Sequence, residues 1–325
     1  MKMEITDIVQ PITDELDTFN ERFHDAMRSK VMFVDLIARY IVRQKGKKIR
    51  PALVLLTAKA CGDINESTYR GASLVEILHT ATLIHDDVVD DADTRRGFAS
   101  INAVWKNKIA VLMGDYMLAK GLLLSLDNND FQFLKITSDA VRRMSEAEIL
   151  QIAKSKDLDL DETTYLKIIS DKTASLISTC CQIGAASVTA DKGIRECMRE
   201  FGENLGVVFQ IRDDLLDYIG RKSITGKPTG LDLKEKKLTL PLIHSFTKAP
   251  RSQSRSILRI IKNGASKKEL QNVIDFAHEF GGIEYTTKRA EHFSRLALHA
   301  LDPIPTSPAK EALIGFVDYV IQRSK

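Results

Sequence analysis

Two short aspartate-rich motifs are the part of the sequence best suited to chemistry. The motif DDVVD begins at Asp86 and the motif DDLLD begins at Asp213, so the chain carries one pattern twice. On a helix that turns about 100° per residue, Asp86 and Asp90 project from one face a single turn apart, as do Asp213 and Asp217. Apolar residues surround both motifs, which predicts largely buried helices on which like charges repel unless cations neutralise them.

Carboxylates without a neighbouring His or Cys pair favour Mg²⁺ over zinc. Mg²⁺ in proteins typically binds a few carboxylates together with phosphate oxygens of a substrate. We therefore predict Mg²⁺ at Asp86, Asp90, Asp213 and Asp217, with a diphosphate as the third partner. Either motif alone could equally be a solvated helix end. Their repetition in two apolar helices favours the metal site.

Basic residues are available for the sides of a diphosphate that metal ions leave open. Lys47, Lys48 and Arg50 precede Pro51, which we expect to be the first residue of a helix, and helix N-termini bind anions well. The other candidates are Arg95, Arg96, Lys172, Lys227 and Lys237. Taken singly, each of these is more often a solvated surface charge, so the prediction depends on the whole set.

Two polar residues share the aspartate faces of their helices. His79 precedes Asp86 by seven residues, and Gln210 precedes Asp213 by three. His79 could reach a second anion, and Gln210 could bind phosphate or metal-bound water. The alternatives are a buried histidine and a buried amide whose hydrogen bonds are satisfied within the core.

The elements that must position these residues are predicted to be helices. The chain has eight prolines, and none lies between Pro51 and Pro228. Apolar residues recur at helical spacing, and no stretch alternates as a strand would. Breaks are expected where Gly, Pro, Asp and Asn collect, at 61–65, 94–100, 127–130, 157–161, 220–241 and 303–308. The basic stretch 220–241 is interpreted as a mobile flap.

Length and composition limit the classes of function that this chain could have. The 325 residues are 44% hydrophobic, and no linker divides them, so a single domain over 1–325 is predicted. A net charge of +3 is too balanced to indicate nucleic-acid binding. Continuous apolar runs are far shorter than the roughly 20 residues of a membrane span, and the N-terminus lacks signal-peptide features, so a cytoplasmic protein is expected. The four cysteines are expected to be reduced core thiols.

Taken together, the motifs resemble those of trans-isoprenyl diphosphate synthases, specifically the octaprenyl-type polyprenyl synthases. The matching stretches follow the family's order: GKKIRP at 46–51, HTATLIH at 79–85, TRRG at 94–97, KT at 172–173, Gln210 with the second aspartate motif, GKP at 226–228 and KLTLP at 237–241. The sequence departs from the family pattern at Lys48, where Arg is usual, and at Lys236, where Gly is common. The second departure bears on the geometry of the flap.

This resemblance implies an all-α, single-domain helical bundle of the isoprenoid synthase type with a central active-site cavity. It implies a Mg²⁺-dependent, homodimeric prenyltransferase that extends farnesyl or geranylgeranyl diphosphate with isopentenyl diphosphate. The implied catalytic set is Asp86, Asp90, Asp213, Lys172 and Lys227. The implied ligands of the allylic diphosphate are Arg95, Lys172, Thr173, Gln210, Lys227 and Lys237. The implied ligands of isopentenyl diphosphate are Lys47, Arg50, His79 and Arg96.

Residues before the first motif predict a long product. An isoprenoid tail bound at Asp86 would run toward the N-terminus of its helix and pass Thr82 about 6 Å away. Short-chain members of the family carry aromatic residues four and five positions before the motif, where this chain has Thr82 and Ala81. Thr82 shares the aspartate face, whereas Ala81 is indicated by the family alone. The tail is therefore expected to continue past Leu78 and Val75, and a transient membrane contact could accompany its release.

Three other functions remain open from the sequence. A class I terpene cyclase shares the carbocation chemistry and a first aspartate motif, but usually has a different second metal motif and needs no isopentenyl site. A non-catalytic partner subunit of a prenyltransferase would tend to lose metal-binding aspartates, which this chain keeps. A helical metal-binding scaffold would bind Mg²⁺ without diphosphate.

Overall fold

Helices dominate the structure, a computed structural model that describes residues 4–43, 46, 48–95, 97–158, 160–219, 233, 237–264 and 266–322. The first helices are α1 (Ile5–Ile8), a 3₁₀ turn (Gln10–Ile12), α2 (Thr13–Met27), α3 (Met32–Arg43), α4 (Ile49–Cys61) and α5 (Glu66–Val89). The middle helices are α6 (Ile101–Leu126), α7 (Phe131–Asp157), α8 (Glu162–Ile169), a π-helical turn (Ser170–Ala174), α9 (Ser175–Val188) and α10 (Lys192–Ile219). The last helices are α11 (Leu240–Lys248), α12 (Arg251–Asn263), α13 (Lys267–Glu279), α14 (Gly282–Ala300) and α15 (Pro308–Gln322). The all-α prediction is confirmed.

The helix α5 carries the first aspartate motif at its C-terminal end. A capping box starts this helix, because Asn65 accepts a hydrogen bond from the backbone N–H of Thr68, whose side chain accepts one from the N–H of Asn65. The helix ends at Val89, so Asp86 lies in its last turn and Asp90 caps it. Negative side chains there face the negative end of the helix dipole, which increases the need for nearby cations.

The helix α6 packs closely against α5 because glycines lie at the contact. A Cβ atom added at Gly114 would lie 2.2 Å from Nε2 of His85, and one at Gly121 would lie 3.3 Å from Cδ1 of Leu74. Gly114 therefore lets α6 approach the residue that immediately precedes Asp86.

Three clusters of buried apolar side chains hold the helices together. The first involves α4, α5, α9, α10 and α15, the second α8, α10, α11, α13 and α14, and the third α3, α5 and α6. Because α5 and α10 each contribute to two clusters, both motif-bearing helices are fixed from two sides. The four cysteines are unpaired, and Cys180 and Cys181 are buried.

Two local features differ from the sequence-based expectation. Residues Thr94–Arg95 and Phe98–Ala99 form a short antiparallel hairpin, which is too brief to show an alternating pattern. The helix α4 begins at Ile49, so Pro51 is its third residue rather than its first. Proline is tolerated there because the first four N–H groups of a helix have no intrahelical partner.

One described helix, α6, is long and apolar enough to cross a membrane, with a mean hydropathy of 1.6 in its most apolar segment. This corrects the expectation drawn from continuous apolar runs, because isolated charges such as Asp115 and Lys120 interrupt the apolar sequence without removing its overall character. A core helix of a bundle passes the same test, and the buried side of α6 packs on α5. The helix is therefore weak evidence for a membrane span.

Candidate active site

A cavity of about 260 Å³ lies beside the second aspartate motif. It brings together five of the residues predicted from the sequence: Lys172, Thr173, Gln210, Asp213 and Lys237. Three separate parts of the chain supply them, namely the π-helical turn, α10 and the segment that precedes α11. The lining is suited to an anion, because two lysines, a hydroxyl and an amide converge on one space.

The π-helical turn between α8 and α9 presents Lys172 and Thr173 to this cavity. Such wide turns commonly mark functional sites in helical proteins. The turn is held from behind by Asp171, which is buried and accepts hydrogen bonds from Arg143 Nε and Lys167 Nζ at 2.7 Å each. Arg143 also donates to Glu203 on α10 at 2.6 Å, so one guanidinium group ties the turn to α7 and α10.

The contacts behind the π-helical turn favour the charged form of Asp171. Burial alone would raise the pKa of Asp171, but the hydrogen bonds from Lys167 and Arg143 outweigh it and leave the pKa below its usual value. The folded state thus favours the charged form of Asp171, and the network contributes stability at neutral pH.

The second motif is anchored through Asp214, the middle one of its three aspartates. Asp214 is buried, and its two carboxylate oxygens accept hydrogen bonds from the hydroxyl of Tyr165 and from Nε2 of Gln210, each at 2.7 Å. The other end of the Gln210 amide accepts a hydrogen bond from Thr173 Oγ1 at 2.8 Å. Asp213 is exposed at the cavity, and Asp217 is half-buried.

The first motif follows the same arrangement. Asp87 is buried and pairs with Arg95, whose Nε lies 2.7 Å from Oδ1, while Asn102 donates to the backbone carbonyl of Asp87 at 3.2 Å. Asp86 and Asp90 are exposed. The expectation that these outer aspartates are buried is wrong, because the helix ends at the motif and turns its outer faces toward solvent. Repulsion between them is correspondingly weaker than a buried pair would suffer.

Lys172 connects the two motifs electrostatically. Its ammonium group forms an ion pair with Glu148 at 2.5 Å and donates to Gln151 at 2.7 Å, both on α7. Loss of hydration raises the pKa of Asp86, the charge of Glu148 raises it further, and Lys172 lowers it. Since Lys172 also lines the cavity at Asp213, it lies between the first and second motifs.

Several residues of the site escaped the sequence analysis. Glu148, Gln151 and Lys154 on α7 and Tyr165 on α8 are close to the cavity or to Lys172, yet no repeated motif marks them. The spacing of Glu148 and Gln151 places both on one face of a helix. The neighbouring sequence does not indicate which other part of the chain packs against that face.

Other candidates lie elsewhere or outside the described residues. Arg95 lines a separate cavity of about 400 Å³ together with Lys48 and Asp87, so in this structure it is bound to the first motif rather than placed at the smaller cavity. His79 is buried in α5 and Arg50 is half-buried in the first turn of α4. Predictions for Lys47, Arg96 and Lys227, and for most of the flap including Lys236, concern residues outside the described ranges.

The residues proposed to set product length line the body of α5. Val75, Leu78 and Ala81 are buried, and Thr82 is half-buried with its hydroxyl bonded to the carbonyl of His79 at 2.8 Å. Val75 and Leu78 belong to the core around α4 and α9, whereas Ala81 packs toward α6. A tail that passes them would have to displace packed side chains.

The donor set fits Mg²⁺ on chemical grounds. Among the described residues, no group of three or more His, Cys, Asp or Glu side chains is gathered as a complete metal site. Mg²⁺ does not require one, because it commonly keeps water and takes further ligands from substrate phosphates. Exposed carboxylates at Asp86, Asp90 and Asp213 match that coordination preference. The histidine next to Asp86, His85, turns its ring to Asp115 and Val111 on α6 instead.

Comparisons with known proteins match this chain to one family over nearly its whole length. The sequence profile of the family described as Polyprenyl synthetase matches residues 32–276. The chain is 36% identical to an all-trans-nonaprenyl-diphosphate synthase (geranyl-diphosphate specific) of Rhodobacter capsulatus, over 98% of this chain and 97% of that protein. It is 33% identical to the octaprenyl diphosphate synthase of Escherichia coli, over 99% and 100%.

A solved structure shows the same architecture. The polyprenyl synthase of Caulobacter crescentus, crystallised with calcium and isoprenyl diphosphate, superposes with a TM-score of 0.90 at 31% identity and covers 100% of this chain and 99% of its own.

Removing the guanidinium group behind the π-helical turn should destabilise the protein. We expect Arg143→Met to lower the free energy of unfolding at pH 7 by about 2–3 kcal/mol, below the range of about 3–5 kcal/mol for fully buried pairs, because Arg143 keeps 22% of its side chain exposed. The difference from the unaltered protein should begin to narrow below pH about 4, the ordinary pKa of an aspartate in the unfolded chain, and should continue to narrow down to the lowered pKa of Asp171 in the folded protein. Denaturant unfolding at both pH values measures this.

The neighbouring residue supplies the control. Arg142 pairs with Asp139 and Glu146 at the surface and is 59% exposed, so Arg142→Met should cost about 0–1 kcal/mol. Equal losses in the two variants would contradict a special role for Arg143.

Proposed function

This chain belongs to the polyprenyl synthetase family, and on that premise we propose that its cavity binds the allylic diphosphate that isopentenyl diphosphate extends. The protein is a trans-polyprenyl diphosphate synthase, a prenyltransferase of long-chain type. The observation that carries the assignment of the site is the position of Lys172, which lines the cavity at Asp213 and also acts on the charge of Asp86. A diphosphate beside Lys172 would therefore lie within reach of both aspartate motifs.

The side chains of the cavity would bind and orient the diphosphate. Lys172 is held by Glu148 and Gln151, so its charge is fixed in place rather than carried on a mobile arm. Lys172, Lys237 and the N–H of Gln210 that does not face Asp214 offer donors that bind more strongly as negative charge builds on the departing diphosphate. The hydroxyl of Thr173 holds the Gln210 amide in place from its other end. This differential stabilisation is what lowers the barrier to ionisation.

No protein nucleophile is needed for the reaction. The C–O bond of the allylic diphosphate breaks, the isopentenyl double bond attacks the resulting allylic cation, and loss of one proton restores an alkene. We propose that the released diphosphate takes this proton, because no described side chain at the cavity is an evident base. Bound Mg²⁺ would supply Lewis acidity toward the diphosphate oxygens, and Asp86, Asp90, Asp213 and Asp217 are the residues that would hold it.

We further propose that isopentenyl diphosphate is bound by Lys47, Arg50, His79 and Arg96. Two of these, Arg50 and His79, belong to the neighbouring helices α4 and α5. The preferred primer is proposed to be farnesyl or geranylgeranyl diphosphate. The similar protein from Rhodobacter capsulatus is named as specific for geranyl diphosphate, so the test includes that primer.

We propose that the protein acts in the cytoplasm and touches membranes only when its apolar product leaves. The protein should then be recovered in the soluble fraction after cell breakage. Retention in salt-washed membranes would contradict this proposal and would indicate α6 as the element that binds the membrane.

Incubation with radiolabelled isopentenyl diphosphate, Mg²⁺ and each primer should give products several isoprene units longer than the primer. Chromatography of the dephosphorylated products measures their length. EDTA should abolish turnover, and Asp86→Asn should reduce it by at least about 100-fold, the effect of losing a group that stabilises transition-state charge. A hydrocarbon made from the primer alone would instead identify a terpene cyclase, and no turnover would favour a regulatory subunit.

A bulky side chain before the first motif should shorten the product. In Ala81→Phe the phenyl ring would obstruct the path toward Leu78, so the longest product should lose several isoprene units. Thr80→Phe is the control, because Thr80 lines the cavity of about 400 Å³ on another side of α5, where a ring can be accommodated. An unchanged product distribution in Ala81→Phe, with folding intact by circular dichroism, would exclude this position as a length determinant.

We also propose a homodimer formed through α6. Its exposed face carries an apolar stripe of Val104, Val111, Leu112, Leu122, Leu123 and Leu126. Such a continuous apolar surface is unusual on a monomer and typical of an interface.

Charge placed in this stripe should separate the subunits. Sedimentation should show a dimer for the unaltered protein and a monomer for Leu123→Glu, because the glutamate would be buried without a partner. Leu296→Glu, at an exposed leucine of α14, should remain dimeric. A monomeric unaltered protein, or a dimeric Leu123→Glu variant, would refute the interface.

A further inference from the structure

The carboxylate of Asp214 imposes directions on the hydrogen bonds around it. Asp214 keeps 5% of its surface exposed, and the hydroxyl of Tyr165 and Nε2 of Gln210 approach its two oxygens at 2.7 Å. An ionised carboxylate can only accept hydrogen bonds. The phenol of Tyr165 and the NH₂ group of Gln210 must therefore donate.

This constraint extends one residue further. With its NH₂ group turned to Asp214, the amide of Gln210 must turn its carbonyl oxygen Oε1 to Thr173. The hydroxyl of Thr173 donates to that oxygen at 2.8 Å. All three hydrogen bonds thus point toward Asp214, one directly from Tyr165 and two in succession from Thr173 through Gln210. The charge-assisted bonds at the carboxylate strengthen the bond from Thr173 to Gln210.

Tyr165 lies in the wall of the cavity, together with the groups expected to bind substrate. Its side chain is buried, with 3% exposed, on α8 and directs its hydroxyl at Asp214 on α10. Asp213 immediately precedes Asp214 on α10 and is exposed at the cavity. Fixing the middle aspartate inward therefore helps to keep its neighbour turned outward, as one helical residue step rotates the side chain by about 100°.

We propose that Tyr165 is a positioning residue, which acts through Asp214 to orient the Gln210 amide and Asp213 toward the allylic diphosphate. The proposal rests on the proposed function of the cavity and adds a residue of the cavity wall whose hydroxyl is turned to Asp214 rather than to the substrate. Without the phenol, one oxygen of a buried carboxylate loses this donor, and Asp214 is no longer fixed from the side of α8. The free N–H of the Gln210 amide and the carboxylate of Asp213 would then lose their fixed orientation toward the cavity.

The effect should be selective for one substrate. Residues that orient a ligand-binding side chain typically change affinity or activity by about 10–100-fold when altered. Tyr165→Phe should raise the KM for the allylic diphosphate by about tenfold or more. The KM for isopentenyl diphosphate, whose proposed ligands Arg50 and His79 lie on α4 and α5, should change by less than about twofold. The melting temperature should remain within a few degrees.

The experiment combines kinetics with direct binding. KM and kcat are measured for both substrates, and calorimetry gives the Kd of an unreactive allylic thiodiphosphate in the presence of Mg²⁺. The control is Tyr285→Phe, which removes a phenol that donates to Glu162 at 2.7 Å away from the cavity. We expect the thiodiphosphate to bind about tenfold more weakly to Tyr165→Phe and normally to Tyr285→Phe.

A second variant keeps the test decisive if Tyr165→Phe folds poorly. Asp214→Asn places an NH₂ group where Tyr165 or Gln210 now donates, so it should produce the same selective loss. The double variant should be no worse than the more severe single variant, since both act through one chain of contacts. Additive losses, equal weakening of both substrates or normal thiodiphosphate binding by Tyr165→Phe would each overturn the positioning role. Absence of turnover by the unaltered protein would instead overturn the proposed function.

Discussion

A carboxylate that is removed from water must be paired, and in this protein the paired carboxylates belong to the middle one of the three aspartates in each motif. Asp87 is held by Arg95 and Asp214 by Tyr165 and Gln210. Each anchored middle aspartate fixes the rotation of its helix, so the preceding residues Asp86 and Asp213 are exposed. The difference between buried and exposed aspartates therefore separates anchoring from ligand binding within a motif of five residues.

The cations of the site are held as firmly as the anions. Lys172 is bound by two side chains of α7, and the turn that carries it is bound by Arg143 through Asp171. Long side chains lose considerable freedom when they bind a ligand, so fixing them during folding reduces that cost at the moment of binding. The same contacts link α7, α10 and the π-helical turn, so the stability of the bundle and the geometry of the site depend on shared residues.

Much of the architecture could be predicted because helical periodicity and breaker residues are local signals. The breaks near 61–65, 127–130 and 157–161 agree with the ends of α4, α6 and α7. The repeated motif and the Lys172–Thr173 pair identified residues that the fold does bring to one cavity. Recognition of a family pattern was needed to connect these segments, since spacing along the chain does not determine which helices meet.

The residues that were missed depend on contacts between distant helices. Glu148 and Tyr165 are single polar residues on long helices, and their importance follows only from their partners Lys172 and Asp214. The spacing of the motifs also could not distinguish a middle aspartate that anchors from an outer one that is exposed. Arg95 was expected at the substrate, but its sequence position equally allows the pairing with Asp87 that the structure shows.

The π-helical turn at Ser170–Ala174 also makes the number of residues in this segment important. A π turn contains one residue more than an α-helical turn, so deletion of a residue here would allow α8 and α9 to join as one regular helix. That shorter chain would have better local backbone geometry, yet everything before the deletion would rotate by about 100° relative to α9. Lys172 and Thr173 would then leave their register with Gln210. A deletion that makes the backbone a more regular helix would thus disrupt the cavity. Insertions or deletions at this point should therefore be less well tolerated than most substitutions.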